Sequence, residues 1–179
     1  MEKSPIELGR DAFLRCFEWD GGHADVWRVF NDAVAFAEVV AGMAAPWRSV
    51  EVTKVCGIEA RGFILGGAVA NALGVGFAAI RKQGNLFPGQ KREVVSEPDY
   101  RGIRQILRIQ QQSVTADDRC LLVDDWIECG SQAIAARDLI EACGGVLVGV
   151  AVIVDQFDSD RAQLPAITSV IKAAELPGE

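Results

Sequence analysis

Two adjacent carboxylates, Asp124 and Asp125, close the apolar run Cys120-Leu121-Leu122-Val123 and precede Trp126, Ile127, Glu128, Cys129, Gly130, Ser131 and Gln132. The apolar run reads as a buried strand, and Gly130-Ser131 as a short loop opening the next helix. Backbone N–H groups at a helix start, with a glycine allowing close approach, form a nest for a phosphate dianion. Neighbouring carboxylates accept hydrogen bonds from vicinal sugar hydroxyls and suit the surroundings of a magnesium ion. Together these groups would hold a ribose 5-phosphate. The plainer alternative is an Asp-Asp turn or helix cap.

Such a strand needs an open parallel sheet, where ligands bind outside the carboxyl ends of the strands. Val34, Phe36, Ala37, Val39, Val40 and Met43 recur at helical spacing over residues 32–45, and Pro46 stops the run, which predicts an amphipathic helix. A strand, a Gly- and Ala-rich helix and a second strand are expected at 52–58, 62–73 and 75–80. Beyond them come a strand at 103–109, a turn at 115–118, a strand at 120–123, a helix at 131–142 and a strand at 146–154. This alternation implies an α/β fold with a central, mainly parallel sheet flanked by helices on both faces. From 81 to 100, Gly84, Pro88, Gly89 and Pro98 interrupt every apolar pattern, giving a loop far longer than usual and of the kind that carries function. Residues 1–31 mix aromatics, charges and a Gly21-Gly22 turn without clear periodicity, and are expected to form a small hood over an edge or mouth of the fold.

With 179 residues, 50% of them hydrophobic, the chain suits a single domain over residues 1–179. A formal net charge of −7 argues against a nucleic-acid partner, whose phosphates demand clustered Lys and Arg. No window offers the roughly 18 uncharged apolar residues of a membrane span, and Met1-Glu2-Lys3-Ser4-Pro5 lacks a signal peptide's apolar core. A cytoplasmic location and no membrane partner are expected. Cys16, Cys56, Cys120, Cys129 and Cys143 form an odd set without CxxC spacing, which reads as reduced thiols with neither a disulfide framework nor a zinc site. The chain has no P-loop sequence, no dinucleotide fingerprint and no GxSxG elbow. Its one histidine, His23, stands in the irregular start and is assigned no chemistry.

Residues 121–132 resemble the motif with which type I phosphoribosyltransferases bind 5-phosphoribosyl 1-pyrophosphate (PRPP). The segment Gly57-Ile58-Glu59-Ala60-Arg61-Gly62-Phe63-Ile64-Leu65-Gly66 is similar, almost letter for letter, to one found in adenine phosphoribosyltransferases. Arg81-Lys82-Gln83-Gly84-Asn85-Leu86 resembles that family's Arg-Lys-x-Gly-Lys-Leu signature, and the resemblance extends over roughly residues 32 to 160. It implies the type I phosphoribosyltransferase fold, with 83–100 as a flexible catalytic loop. It also implies an enzyme that joins a nucleobase, a purine, to PRPP, yielding a nucleoside 5′-monophosphate and pyrophosphate. By position, Glu59, Ala60 and Arg61 would form the pyrophosphate turn, with the peptide before Ala60 cis, and Arg81 and Lys82 would meet the same group across a homodimer interface. Asp124 and Asp125 would hold the ribose hydroxyls, and Cys129, Gly130, Ser131 and Gln132 the 5-phosphate. Mg²⁺ would be bound mainly through PRPP, close to Asp124 and Asp125, while Trp126, Ile127 and Phe157 would flank the base.

The chain also departs from the adenine enzymes. Where they carry Ala-Thr-Gly-Gly-Thr it has Glu128-Cys129-Gly130-Ser131-Gln132, so two threonine hydroxyls are replaced by a thiol and a carboxamide. Hypoxanthine-guanine and xanthine enzymes carry an acidic residue at the place of Glu128. The resemblance thus implies a catalytic Glu128 that exchanges a proton with the purine imidazole, beside Asp124 and Asp125. The alternative for Glu128 is a helix cap. The adenine enzymes' Leu-Glu-Tyr element falls near Tyr100-Arg101-Gly102, and of their Phe-Arg-Asp stretch only Asp25 agrees, opposite His23-Ala24-Asp25. These differences leave the base open, and with it the alternative of a non-catalytic PRPP- or nucleotide-binding regulator of the same fold.

Overall fold

Ser4 starts the first helix. Its side chain accepts from the Glu7 N–H at 3.3 Å, the Glu7 carboxylate accepts from the Ser4 N–H at 2.8 Å, and Pro5 presets the backbone, so α1 forms over Pro5–Cys16. Next come a small hairpin, β1 (Glu18–Asp20) and β2 (His23–Asp25), the short helix α2 (Trp27–Asn31), and α3 (Ala33–Ala44), capped by Asp32 through the N–H groups of Val34 and Ala35. The remaining elements are β3 (Lys54–Ile58), α4 (Arg61–Leu73), β4 (Gly76–Lys82), β5 (Lys91–Val95), β6 (Ile106–Gln110), β7 (Arg119–Ile127), α5 (Ser131–Ala142), β8 (Val146–Asp155) and β9 (Ile167–Lys172). The computed structural model describes residues 2–84, 86–99, 101–158 and 160–178; Asn85 and Tyr100, named in the family comparison above, lie outside them.

Seven strands make one sheet in the order β5-β6-β4-β3-β7-β8-β9. The five from β4 to β9 in that order run parallel, and β6 and β5 add an antiparallel edge. Alternation along β7 builds both cores: Leu121 and Val123 pack with α3 and α4, Cys120 and Leu122 with α5. Gly57 fixes the approach of α4 to the sheet, since a Cβ there would stand 2.1 Å from the Gly62 carbonyl oxygen.

Four expectations are corrected. Residues 1–31 are more than a hood: Phe13 of α1 is fully buried and α1 packs on α3, while the hairpin and α2 reach the mouth described below. The stretch 81–100 is not one loop, because β4 continues through Arg81 and Lys82 and β5 lies within it. Every residue of β5 except Val94 is exposed, so this edge strand carries no apolar alternation. The strand expected at 120–123 runs on to Ile127, since Asp124, Trp126 and Ile127 pair with Val152, Val154 and Asp155. Finally, β9 was not anticipated; it completes the sheet beside β8.

Candidate active site

The carboxyl ends of β3, β4, β7 and β8 surround a cavity of about 810 Å³, within the range of small-molecule sites. Glu59, Ala60, Arg61, Lys82, and Asp124 through Gln132 all line it. Residues more than 60 positions apart in the chain therefore meet at one place, as the sheet order requires.

Two helices point open starts at this space. The first residue before α5 is Gly130, with φ 75°, and no side chain caps the helix. The backbone N–H groups of its first turn are thereby left to an anion, and the helix dipole adds a positive field. Gly130 is demanded twice, because a Cβ there would also sit 2.7 Å from Phe157 Cε2. Cys129 Sγ stands 3.4 Å from Ser131 Oγ at the loop's rim. The start of α4 likewise has no side-chain cap at Ala60, and the Glu59-Ala60 peptide is cis.

Between the two starts lie the carboxylates. Arg61 Nε is 2.9 Å from Asp125 Oδ2, yet the angle is poor and that buried oxygen lacks a directed hydrogen-bond partner. The contact is therefore an ion pair with one acceptor still open. Asp124 Oδ1 accepts from the Asp125 N–H at 2.9 Å. Burial first, and then the neighbouring Asp125 carboxylate, push the Asp124 carboxyl well above the usual range, against the pull of the Asp125 N–H and of Lys82. Hydroxyl donors or a cation would relieve that crowding.

Glu128 is half-buried in the cavity wall. Burial chiefly raises its pKa, Asp99 and Asp125 add to the rise, and Arg101 opposes it. Among the described residues no hydrogen bond holds its carboxylate, so it does not act as a helix cap in this structure. Trp126 Nε1 donates to Gln156 Oε1 at 2.9 Å.

Two expected residues stand apart. Arg81 turns from the cavity to Glu59, its Nη2 at 3.2 Å and Nε at 3.3 Å from the carboxylate, and its Nη1 donates to the Leu86 carbonyl. Phe157 is buried beneath Gly130 in the apolar core and does not line the cavity. Trp19, His23, Trp27, Asp99, Arg101 and Gln156 line it without having been singled out as site residues. Trp27 lies 5.9 Å from the Arg61 guanidinium, ring face toward the cation. The sequence signals for that wall were the hairpin's Gly21-Gly22 turn and the comparison of His23-Ala24-Asp25 and Tyr100-Arg101-Gly102 with elements of the adenine enzymes, and Gln156 had none beyond its place after an apolar strand.

Known proteins agree with this geometry. Residues 27–172 match the family model described as phosphoribosyl transferase domain. An adenine phosphoribosyltransferase of Cereibacter sphaeroides is 39% identical over 150 residues, covering 83% of either chain. One of Maricaulis maris is 40% identical over 131 residues, 73% of either chain. Among solved structures, the Giardia lamblia adenine phosphoribosyltransferase complexed with 9-deazaadenine superposes with a TM-score of 0.76 at 32% identity over 84% of this chain and 86% of that one. The enzyme from Thermoanaerobacter pseudethanolicus gives 0.81 at 28% identity over 91% and 99%. An open sheet with uncapped helix starts at the ends of β3 and β7, an aspartate pair between them and a family match over most of the length together make this chain a member of the phosphoribosyltransferase family, with the type I fold.

Proposed function

We propose that the protein transfers the phosphoribosyl group of PRPP to a purine, giving a nucleoside 5′-monophosphate and pyrophosphate. The observation that carries this reading is the convergence of two uncapped helix starts and the Asp124-Asp125 pair on one cavity. The start of α5, with Cys129, Gly130, Ser131 and Gln132, holds the 5-phosphate, and Asp124 and Asp125 hold the ribose hydroxyls. At the start of α4, Glu59, Ala60 and Arg61 form the turn for the pyrophosphate, joined by Lys82. Arg81 joins them only if it leaves Glu59, a change suited to closure of the 83–100 segment as a lid. Trp126 and Ile127 flank the base, with Phe157 supporting Gly130 from below.

Mg²⁺ fits this site as an ion carried by PRPP. Among the described residues no group of three acidic, His or Cys side chains could hold a metal alone, while Asp125 Oδ2 is an open buried acceptor and Asp124 is crowded by it. The ion supplies charge neutralisation for the departing pyrophosphate. The protein's own groups do the rest. Arg61 and Lys82 stabilise the leaving group, closure of the 83–100 segment would keep water from an oxocarbenium-like centre, and Glu128 takes the proton that the attacking purine releases. Its raised pKa makes it a stronger proton acceptor than an ordinary carboxylate.

The resemblance to the family implies a homodimer. Sedimentation at about twice the 19.3 kDa chain mass is the expected result. No helix among the described residues is long and apolar enough to cross a membrane. The function itself is tested by incubating the protein with PRPP, Mg²⁺ and a panel of purines and pyrimidines and measuring pyrophosphate release. Release with a purine is expected. PRPP binding with no release on any base would instead identify a regulator.

A further inference from the structure

Strand β8 ends on Asp155, whose side chain is fully buried, and the register of β8 on β9 sets it opposite Lys172. Three donors meet its carboxylate. Oδ1 accepts from the Phe157 N–H at 2.9 Å and from Arg161 Nη2 at 3.0 Å, while Oδ2 accepts from Arg161 Nη2 at 2.9 Å and from Lys172 Nζ. Burial works against the charge, yet Lys172, the Phe157 N–H and Arg161 hold the carboxyl below its usual range. With the same nitrogen Arg161 also donates to the Phe157 carbonyl at 2.9 Å, and its guanidinium lies 5.4 Å from the centre of the Phe157 ring. Phe157 is thus held at its N–H, at its carbonyl and on a ring face. The 3₁₀ turn Arg161–Gln163 that carries this arginine is itself tied to α5, because Arg137 Nη1 donates to the Gln163 carbonyl.

The far edge of that ring is the floor of the phosphate loop. It packs so closely on Gly130 that a Cβ there would stand 2.7 Å from Cε2, 3.1 Å from Cζ and 3.3 Å from Cδ2. Gly130 leads into the first turn of α5, which no side chain caps. A close-packed interior passes on a displacement instead of absorbing it, so where the ring sits decides where these backbone N–H groups point. Of the described residues, Asp155, Phe157 and Arg161 stand outside the cavity lining and do not touch its contents. We propose that Asp155 and Arg161 are positioning residues for the phosphate site, acting through Phe157 to seat Gly130 and pre-organise the N–H groups that receive the 5-phosphate of PRPP. The proposal rests on the PRPP reading above and extends it to residues behind the site. A loop ordered before binding loses less freedom on binding, and that is the share of affinity the clamp supplies.

The test titrates PRPP with Mg²⁺, and separately pyrophosphate with Mg²⁺, into the wild type, Arg161→Ala, Phe157→Leu and the double variant, by calorimetry. Arg161 is half exposed, and Lys172 stays on Asp155 when it is removed, so the buried carboxylate keeps a partner and the variant should fold, as a thermal melt will show. Arg161→Ala should weaken PRPP binding about three- to tenfold, as an effect relayed between packed neighbours, while pyrophosphate, placed at the start of α4, stays within about twofold. The double variant should bind PRPP within about twofold of Phe157→Leu alone, since Arg161 then has no ring to act through. Unchanged PRPP binding by Arg161→Ala, an equal loss for pyrophosphate, or losses that multiply in the double variant would overturn the proposal. Absence of pyrophosphate release on every base would refute phosphoribosyl transfer instead, with the PRPP ratios still deciding the role of Arg161; a wild type that binds no PRPP would overturn both.

Discussion

Replacing Gly130 by alanine perturbs the phosphate loop by one carbon atom, and the structure sets the size of the effect. Gly130 holds φ at 75°, a left-handed conformation that costs an L-residue about 1–2 kcal/mol. The added Cβ would also stand 2.7 Å from Phe157 Cε2 and 3.1 Å from Cζ. Phe157 has little room to retreat, being 4% exposed, with its N–H bonded to Asp155 Oδ1 at 2.9 Å. Forcing such a contact costs about 1–3 kcal/mol, so Gly130→Ala should lose about 2–5 kcal/mol of stability if the two costs add. Urea unfolding followed by tryptophan fluorescence measures that loss. Phe157→Leu in the same chain separates the parts: it should recover the steric share and leave only the backbone cost. Because the loop also presents the first-turn N–H groups of α5, calorimetric titration should show PRPP affinity falling at least roughly tenfold, or about 1.4 kcal/mol. A Gly130→Ala protein within about 0.5 kcal/mol of wild type, or a full cost that persists beside Phe157→Leu, would refute the reasoning.

Glu128→Gln should lower kcat by about 10²–10⁴ with PRPP affinity nearly unchanged, as for loss of a general base. Since Glu128 must be ionised to accept a proton and its pKa is raised, kcat/KM should fall on acidification at a higher pH than an ordinary carboxylate allows, and the Gln variant should lose that limb. Asp118 is opposed by burial, but Lys54 Nζ at 2.7 Å and the Thr115 N–H and hydroxyl, together with the Thr53 hydroxyl, bring its pKa below the usual value. A depressed folded pKa stabilises above the unfolded pKa and is lost as pH falls through the folded value. Asp118→Asn should therefore cost about 1–3 kcal/mol at pH 7 and progressively less in urea melts taken below about pH 4. Ser4→Ala removes the cap of α1, remote from the cavity, and should cost about 1 kcal/mol in the same assay with turnover unaffected.

The legible parts of the fold were those where burial and period coincide. Helix α5 matches its expected span residue for residue; α3 forms where expected, but its buried face runs through Ala35, Val39, Val40 and Met43, while Val34 and Ala37 of the expected apolar face are exposed. Strand β5 was hidden because an exposed edge pairs through its backbone and leaves no pattern in its side chains. Helix α1 was missed although its capping box, Ser4-Pro5-Ile6-Glu7, stood in the sequence; it buries only Gly9, Ala12 and Phe13. At the site, Asp124 and Asp125 could be named in advance since a strand end places them by topology, and Arg61 through the likeness of residues 57–66 to a segment of adenine phosphoribosyltransferases. The rest depended on rotamers and on chain crossings that a linear motif does not encode. Arg81 turns to Glu59 rather than into the cavity, Phe157 goes under Gly130, and Arg161 folds back onto Asp155.

The central claim is that the aspartate pair and the start of α5 form the PRPP site. Its most direct test is calorimetric titration of PRPP with Mg²⁺ into the wild type and into the Asp124→Asn, Asp125→Asn double variant. Saturable one-site binding by the wild type, with a loss of at least roughly 10²-fold in the variant, about 2.7 kcal/mol, is the predicted result. Failure of the wild type to bind PRPP, or undiminished binding by a folded double variant, would contradict it.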